Sequence, residues 1–429
     1  MTTAAVDPQR SMPDLDPHTM SLPTCRFCRT RLEHTFVDLG MSPLCESFLT
    51  TDELERMEPF YPLHVRICHS CLLVQLPEYV APEKIFTEYA YFSSYSDTWM
   101  EHVRRFAEGM IARHDLGPSH LVIELASNDG YLLQHFAGRG VPVLGIEPAR
   151  NVAAAALARG IPTVTEFFTT HLARTLRAEG RSADLLVANN VLAHVPDVND
   201  FVEGMRALLS TSGLITAEFP HLPRLIEGNQ FDTIYHEHFS YYSFHAIRKI
   251  FAAHGLVIWD VEQLPTHGGS LRIFATHSDS FEGTESERVD QLLRDEREGN
   301  YHRLEGYASF AQRVRKTKND LLEFLIQAKR QGKSIAGYGA PGKSATLLNY
   351  CGIRTDFIDY TVDRNPYKQG KFLPGTHIPV FPPNRIGETK PDYVLILPWN
   401  LRDEIMGQLS FIREWSGRFV MPIPTLEVQ

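Results

Sequence analysis

The chain has 429 residues, 43% of them apolar and 22% charged, which is ordinary for a folded globular protein but too long for one hydrophobic core. Its formal net charge of −10 argues against a nucleic-acid partner, which asks for a basic stripe, yet leaves room for a small anionic substrate held by a few local cations. No stretch approaches the roughly 18 consecutive apolar residues of a membrane helix, so no membrane association is expected.

Residues 1–20 carry Pro8, Pro13 and Pro17 and no apolar core, which predicts a disordered tail instead of a signal peptide and makes a cytoplasmic protein the default. Residues 21–85 hold five of the six cysteines in short strand-like segments. Cys25-Arg26-Phe27-Cys28 and Cys68-His69-Ser70-Cys71 each put two sulfurs on one tight knuckle, and four thiolates at the corners of a tetrahedron suit structural Zn2+. The competing reading is two pairs of buried or redox thiols; Cys45 reads as a spare buried thiol. The stretch YPLHVRICHSCLLVQL alternates as a hairpin around the second pair.

Residues 86–280 change pattern. A helix over 98–114 leads into LVIELASNDGYLLQHF, an apolar strand, a polar turn with one glycine, and a helix. VPVLGIEPA, IPTVTEFF, DLLVANNVLAHV and GLITAEFP supply further strands between helical segments, which predicts a parallel, doubly wound, Rossmann-like sheet. LVIWDVEQLP and GGSLRIFAT complete it as a hairpin.

The first turn contains Ala126, Asn128, Asp129 and Gly130, just past Glu124, and Glu147 with Pro148 ends the second strand. An acid there is placed to receive ribose hydroxyls, whereas a turn with one glycine suits a pyrophosphate poorly. S-adenosylmethionine, with its ammonium, sulfonium and ribose, fits better, and Asn189 and Asn190 after the fourth strand join the expected cofactor set. After the fifth strand, FDTIYHEHFSYYS gathers Tyr235, His236, Glu237, His238, Tyr241 and Tyr242, with His194 on the neighbouring loop, and acid/base work is the preferred reading.

Residues 281–429 comprise one or two connecting helices and a smaller α/β domain. Gly337-x-Gly339-x-x-Gly342, between a strand and a helix, fits the dinucleotide fingerprint, with Asp359 or Asp363 near the acidic position. This supports the alternative of an NAD-dependent nucleotide-sugar oxidoreductase. The preferred reading makes the turn a cradle for a substrate diphosphate, with Gly339, Lys343 and Ser344 as its contacts.

CRFC, VDLGMSPLCESF, FYPLHVRICHSCLLVQL, YAYFSSYS, ELASNDGYLL, NVLAHVPD, YHEHFSYYS, HGGSLR and GYGAPGKSATLLN follow one another in this order. With these motifs the chain after its tail resembles the sugar C-methyltransferases of deoxysugar biosynthesis, of the tetronitrose and mycarose type. The resemblance implies a zinc domain, a class I S-adenosylmethionine domain, and a C-terminal domain that helps bind a dTDP-linked 4-keto-deoxysugar; a monomer is the expectation, although the sequence does not reveal the oligomeric state. It also implies a catalytic set of Tyr89, His194, Tyr235, Glu237 and His238. On chemical grounds His238 would remove the proton α to the ketone, Tyr235 or His194 would hydrogen-bond the enolate oxygen, and Glu237 would orient a histidine.

Overall fold

The computed structural model describes residues 22–82, 93–95 and 97–429. Three sheets organise them. The first is antiparallel: β1 (His34–Ser42), β2 (Tyr61–Ile67) and β3 (Val74–Gln75), with β2 and β3 forming the expected hairpin around the second cysteine pair. Its fourth strand, β9 (Ser240–Tyr241), comes from the histidine-rich run and pairs Val74 with Tyr241 and Gln75 with Ser240.

The second sheet has seven strands: β4 (Val122–Leu125), β5 (Val143–Ile146), β6 (Thr163–Val164), β7 (Ala183–Asn189), β8 (Leu209–Pro220), β10 (Leu256–Leu264) and β11 (Ser270–His277). Their order is β10-β11-β8-β7-β4-β5-β6. The strands β4 to β8 run parallel, and β11 lies antiparallel to both β8 and β10. All four residues of β4 are buried, as a strand covered by helices on both faces requires. Local chemistry starts the covering helices: the Thr169 hydroxyl accepts from the Leu172 amide, and the Asp197 carboxylate accepts from the Asn199 and Asp200 amides. Helix α1 (Asp97–His114) lies over the same domain. The third expected strand, 161–168, shrinks to two residues at the sheet edge, because Phe168 turns to pack on Phe201. The fifth instead reaches back to Leu209.

Residues 284–331 form two helices, Glu287–Glu298 and α2 (Phe310–Arg330). The third sheet follows: β12 (Ile335–Tyr338), β13 (Tyr360–Val362), β14 (Val380–Phe381), β15 (Tyr393–Ile396), β16 (Arg418–Met421) and β17 (Glu427–Val428). Five strands are parallel and β17 is antiparallel, with α3 (Gly342–Cys351) following β12. The α/β fold class with three sheet-bearing parts is as the sequence predicts. Leu49 and Phe372 exchange backbone hydrogen bonds, so the cysteine-bearing part also docks on the C-terminal part. Among the described residues no helix is long and apolar enough to cross a membrane.

Candidate active site

The four cysteine sulfurs lie within 4.8 Å of one another. Cys25 and Cys71 are 3.6 Å apart and Cys28 and Cys68 3.4 Å, close to the ~3.8 Å edge of a tetrahedron built on Zn–S bonds of about 2.3 Å. Both knuckles have the same backbone: Arg29 and Leu72, each following the second cysteine, sit at φ 63°. Gln75 braces the pair, taking the Arg26 amide on its carbonyl and giving an N–H to Cys25 Sγ at 3.2 Å. The donor set and its spacing fit Zn2+, which would leave no open coordination position. Cys45 stands apart, and it is not spare: its buried thiol donates to Glu237 Oε1 at 3.4 Å.

The expected cofactor residues meet at the carboxyl ends of β4, β5 and β7, because parallel pairing sets Glu124 beside Gly145 and Val187. Ala126 and Asn128 adopt left-handed φ of 54° and 49°, which turns the chain sharply before Gly130. Gly145 is required: a Cβ there would stand 2.3 Å from Ser127 Oγ. Glu147 accepts the Asn128 and Ala149 amides, each at 2.8 Å, so this carboxylate shapes the turn and keeps one lone pair per oxygen for ribose hydroxyls. Pro148 follows it, partly exposed.

Asp129 Oδ2 pairs with Arg159 at 3.0 Å, while its Oδ1 is buried without a partner among the described residues. Both amide atoms of Asn189 and Oδ1 of Asn190 are in the same state. Buried polar atoms left over at one strand edge are what a polar ligand would satisfy, and they fit S-adenosylmethionine. Glu124 is fully buried, and desolvation pushes its carboxyl well above the usual range.

The histidine run is held from three sides. Phe239 donates to the Ala193 carbonyl at 2.7 Å, Leu76 donates to the Phe239 carbonyl at 3.0 Å, and Thr346 of α3 donates to the Ile234 carbonyl at 2.8 Å. His238 Nδ1 lies 2.9 Å from the Thr233 carbonyl. A carbonyl only accepts, so Nδ1 carries the proton and Nε2 keeps its lone pair. His194 is fixed the same way by the Glu237 carbonyl at 2.9 Å. The His238 ring lies 4.1 Å from that of Tyr235 and 4.8 Å from that of His194.

Poor solvation, reinforced by His194, pushes the His238 imidazole well below its usual range, and burial lowers His194 to about 4. Both rings are therefore neutral near pH 7. The Glu237 carboxyl moves oppositely, up to about 7, through burial and the neighbouring Glu46. Thr233, and not Glu237, orients His238; the expected orienting role of the Glu237 side chain gives way to its bond with Cys45. His236 is a packing residue, with Nε2 on the Pro62 carbonyl and its ring against Tyr61 and Tyr79. Tyr89 lies outside the described residues.

The C-terminal turn is knit from within. Gly339 has φ 88°, and a Cβ there would meet Pro398 at 2.5 Å. Ala340 donates its amide to Asp363 at 2.6 Å, so a carboxylate stands where a dinucleotide pyrophosphate would lie. Ser344, expected to touch substrate, is instead buried with its hydroxyl given to the Pro341 carbonyl at 2.6 Å. Lys343 lies 4.6 Å over the Trp399 ring and donates to Asn400. Sequence reasoning missed Lys368, which donates to the Ala340 carbonyl at 2.9 Å and pairs with Glu46 at 3.2 Å.

Three family models match the chain: "Putative zinc binding domain" over residues 25–86, "Methyltransferase domain" over 94–261 and "C-methyltransferase C-terminal domain" over 265–424. The C-methyltransferase NovU of Streptomyces niveus is 34% identical over 400 residues, covering 93% of this chain and 95% of that protein. Among solved structures, magnesium protoporphyrin IX methyltransferase of Synechocystis PCC 6803 with bound S-adenosylmethionine matches 42% of this chain and 79% of its own, at 18% identity and a TM-score of 0.33. The PH0226 protein of Pyrococcus horikoshii OT3 matches 47% of this chain and 99% of its own, at 13% identity and a TM-score of 0.37.

Proposed function

The chain belongs to the C-methyltransferase family and is an S-adenosylmethionine-dependent C-methyltransferase; from that premise we propose that its acceptor is a dTDP-linked 4-keto-deoxysugar, methylated at C3. The observation that carries the reading is the fixed tautomer of His238. Its Nδ1 proton is given to Thr233, so Nε2 is a neutral base held in one orientation between Tyr235 and His194.

A carbon next to a ketone becomes nucleophilic only after losing a proton, and a positioned base contributes about 10²–10⁴-fold to that step. S-adenosylmethionine, when bound, supplies an electrophilic methyl group on its sulfonium. His238 Nε2 takes the α proton and Tyr235 steadies the oxygen that gains charge. Neutral His194, whose Nδ1 proton goes to the Glu237 carbonyl, keeps only a lone pair at Nε2 and has no proton to donate there, and the Glu237 carboxyl, raised to about 7, completes the proposed set. The cations Lys343 and Lys368 flank the C-terminal turn and favour an anionic diphosphate on that side.

The test incubates the full chain with methyl-labelled S-adenosylmethionine and a dTDP-4-keto-6-deoxy sugar, and locates the label by NMR. A label on C3 is expected, and a label on C5 would move the site of deprotonation. Methyl on oxygen, or no transfer although S-adenosylmethionine binds, contradicts the proposal.

A further inference from the structure

The loop after β1 belongs to the cysteine-bearing part, yet one of its side chains bonds Glu237 and the next one bonds the C-terminal part. The Cys45 thiol donates to Glu237 Oε1 at 3.4 Å. Glu46 beside it reaches Lys368 of the C-terminal part at 3.2 Å. At Gly342, the first residue of α3, an added Cβ would stand 3.0 Å from Cys45 Sγ and 3.2 Å from Glu46 Oε1. All three sheet-bearing parts therefore meet at this loop, with a glycine where an added Cβ would sit tightly against Cys45 and Glu46.

Resting on the reading of Glu237 as part of the active site, we propose that Cys45, Glu46 and Lys368 are positioning residues that set whether Glu237 carries a charge. The four influences on it oppose one another. Burial and the Glu46 charge disfavour the carboxylate, while the thiol hydrogen bond and the Lys368 ammonium favour it. His194, the other titratable group touching this residue, meets its backbone carbonyl and not its carboxyl. The zinc-binding part thus supplies one group of each kind, the Glu46 carboxylate that disfavours the charge and the Cys45 thiol that favours it, while the C-terminal part supplies the Lys368 ammonium that favours it.

Opposite signs make the inference testable without a substrate. Difference infrared spectra of the zinc-loaded full chain follow the carboxyl band lost in Glu237→Gln through a pH titration. The midpoint should fall by about one pH unit in Glu46→Gln and rise by about one in Lys368→Met. Cys45→Ala should raise it, and Cys45→Ser, which restores a donor, should bring it back.

Shifts of the same sign in both charge variants, unmoved midpoints, or no titrating Glu237 band would overturn the inference. Zinc content and melting temperature report folding, and either charge variant decides the sign by itself. Should the midpoints move as expected in an enzyme that exchanges no α proton, the proposed function fails and this inference stands. Normal exchange with unmoved midpoints removes the inference alone.

Discussion

His194 and His238 each give the Nδ1 proton to a backbone carbonyl and are held neutral by poor solvation. This has a consequence for stability. The folded-state value of His194 is depressed to about 4 from 6.5, so the unfolded chain takes up the proton first as pH falls. Stability from this group is present above 6.5 and is lost as pH falls toward about 4. His194→Asn should therefore lose stability less steeply across that window, by up to about 1.4 kcal/mol per pH unit. Urea unfolding at stepped pH checks this, and identical slopes in the two proteins would contradict it. The residue types were legible in the sequence, since histidines and tyrosines crowd one loop after the fifth strand. Their tautomers were not, because the Thr233 and Glu237 carbonyls that fix them are set by the folded turn. The Cys45–Glu237 contact spans 192 positions and leaves no local pattern.

Strand β9 has only two residues, but it welds the histidine run to the sheet that carries the cysteines. Arg26, inside the first knuckle, adds to this: it donates to the Pro196 carbonyl at 2.7 Å, two residues past His194, and lies 5.5 Å over the Phe239 ring, next to His238. The metal knuckle thus braces both histidine loops. Structural zinc binding is folding energy, so its removal should loosen them. Chelated protein is expected to lose methyl transfer at least about 10²-fold, the cost of an ångström-scale misplacement, while calorimetry still detects S-adenosylmethionine binding. Full activity after verified zinc loss would contradict this coupling. The knuckles were legible because metal-ligand spacing is local. The fourth strand of their sheet was not, because a two-residue strand has too little alternation to announce a partner far along the chain.

On the scale of the whole molecule, the alternation of strands and helices predicted both α/β sheets, and the order of the seven-stranded sheet follows from right-handed parallel crossovers plus a terminal hairpin. What the pattern could not give was the docking of the three parts, made by the Leu49–Phe372 bridge, the Cys45–Glu237 and Thr346–Ile234 hydrogen bonds and the Glu46–Lys368 pair. The central claim is that His238 makes a carbanion next to a ketone, and exchange of the α proton reads that step without the cofactor. With a dTDP-4-keto-6-deoxy sugar in deuterated water and no S-adenosylmethionine, the native chain should place deuterium on one carbon beside the ketone, and His238→Asn should slow this at least about 10²-fold. Undiminished exchange in the variant, or none in the native chain, would contradict the account.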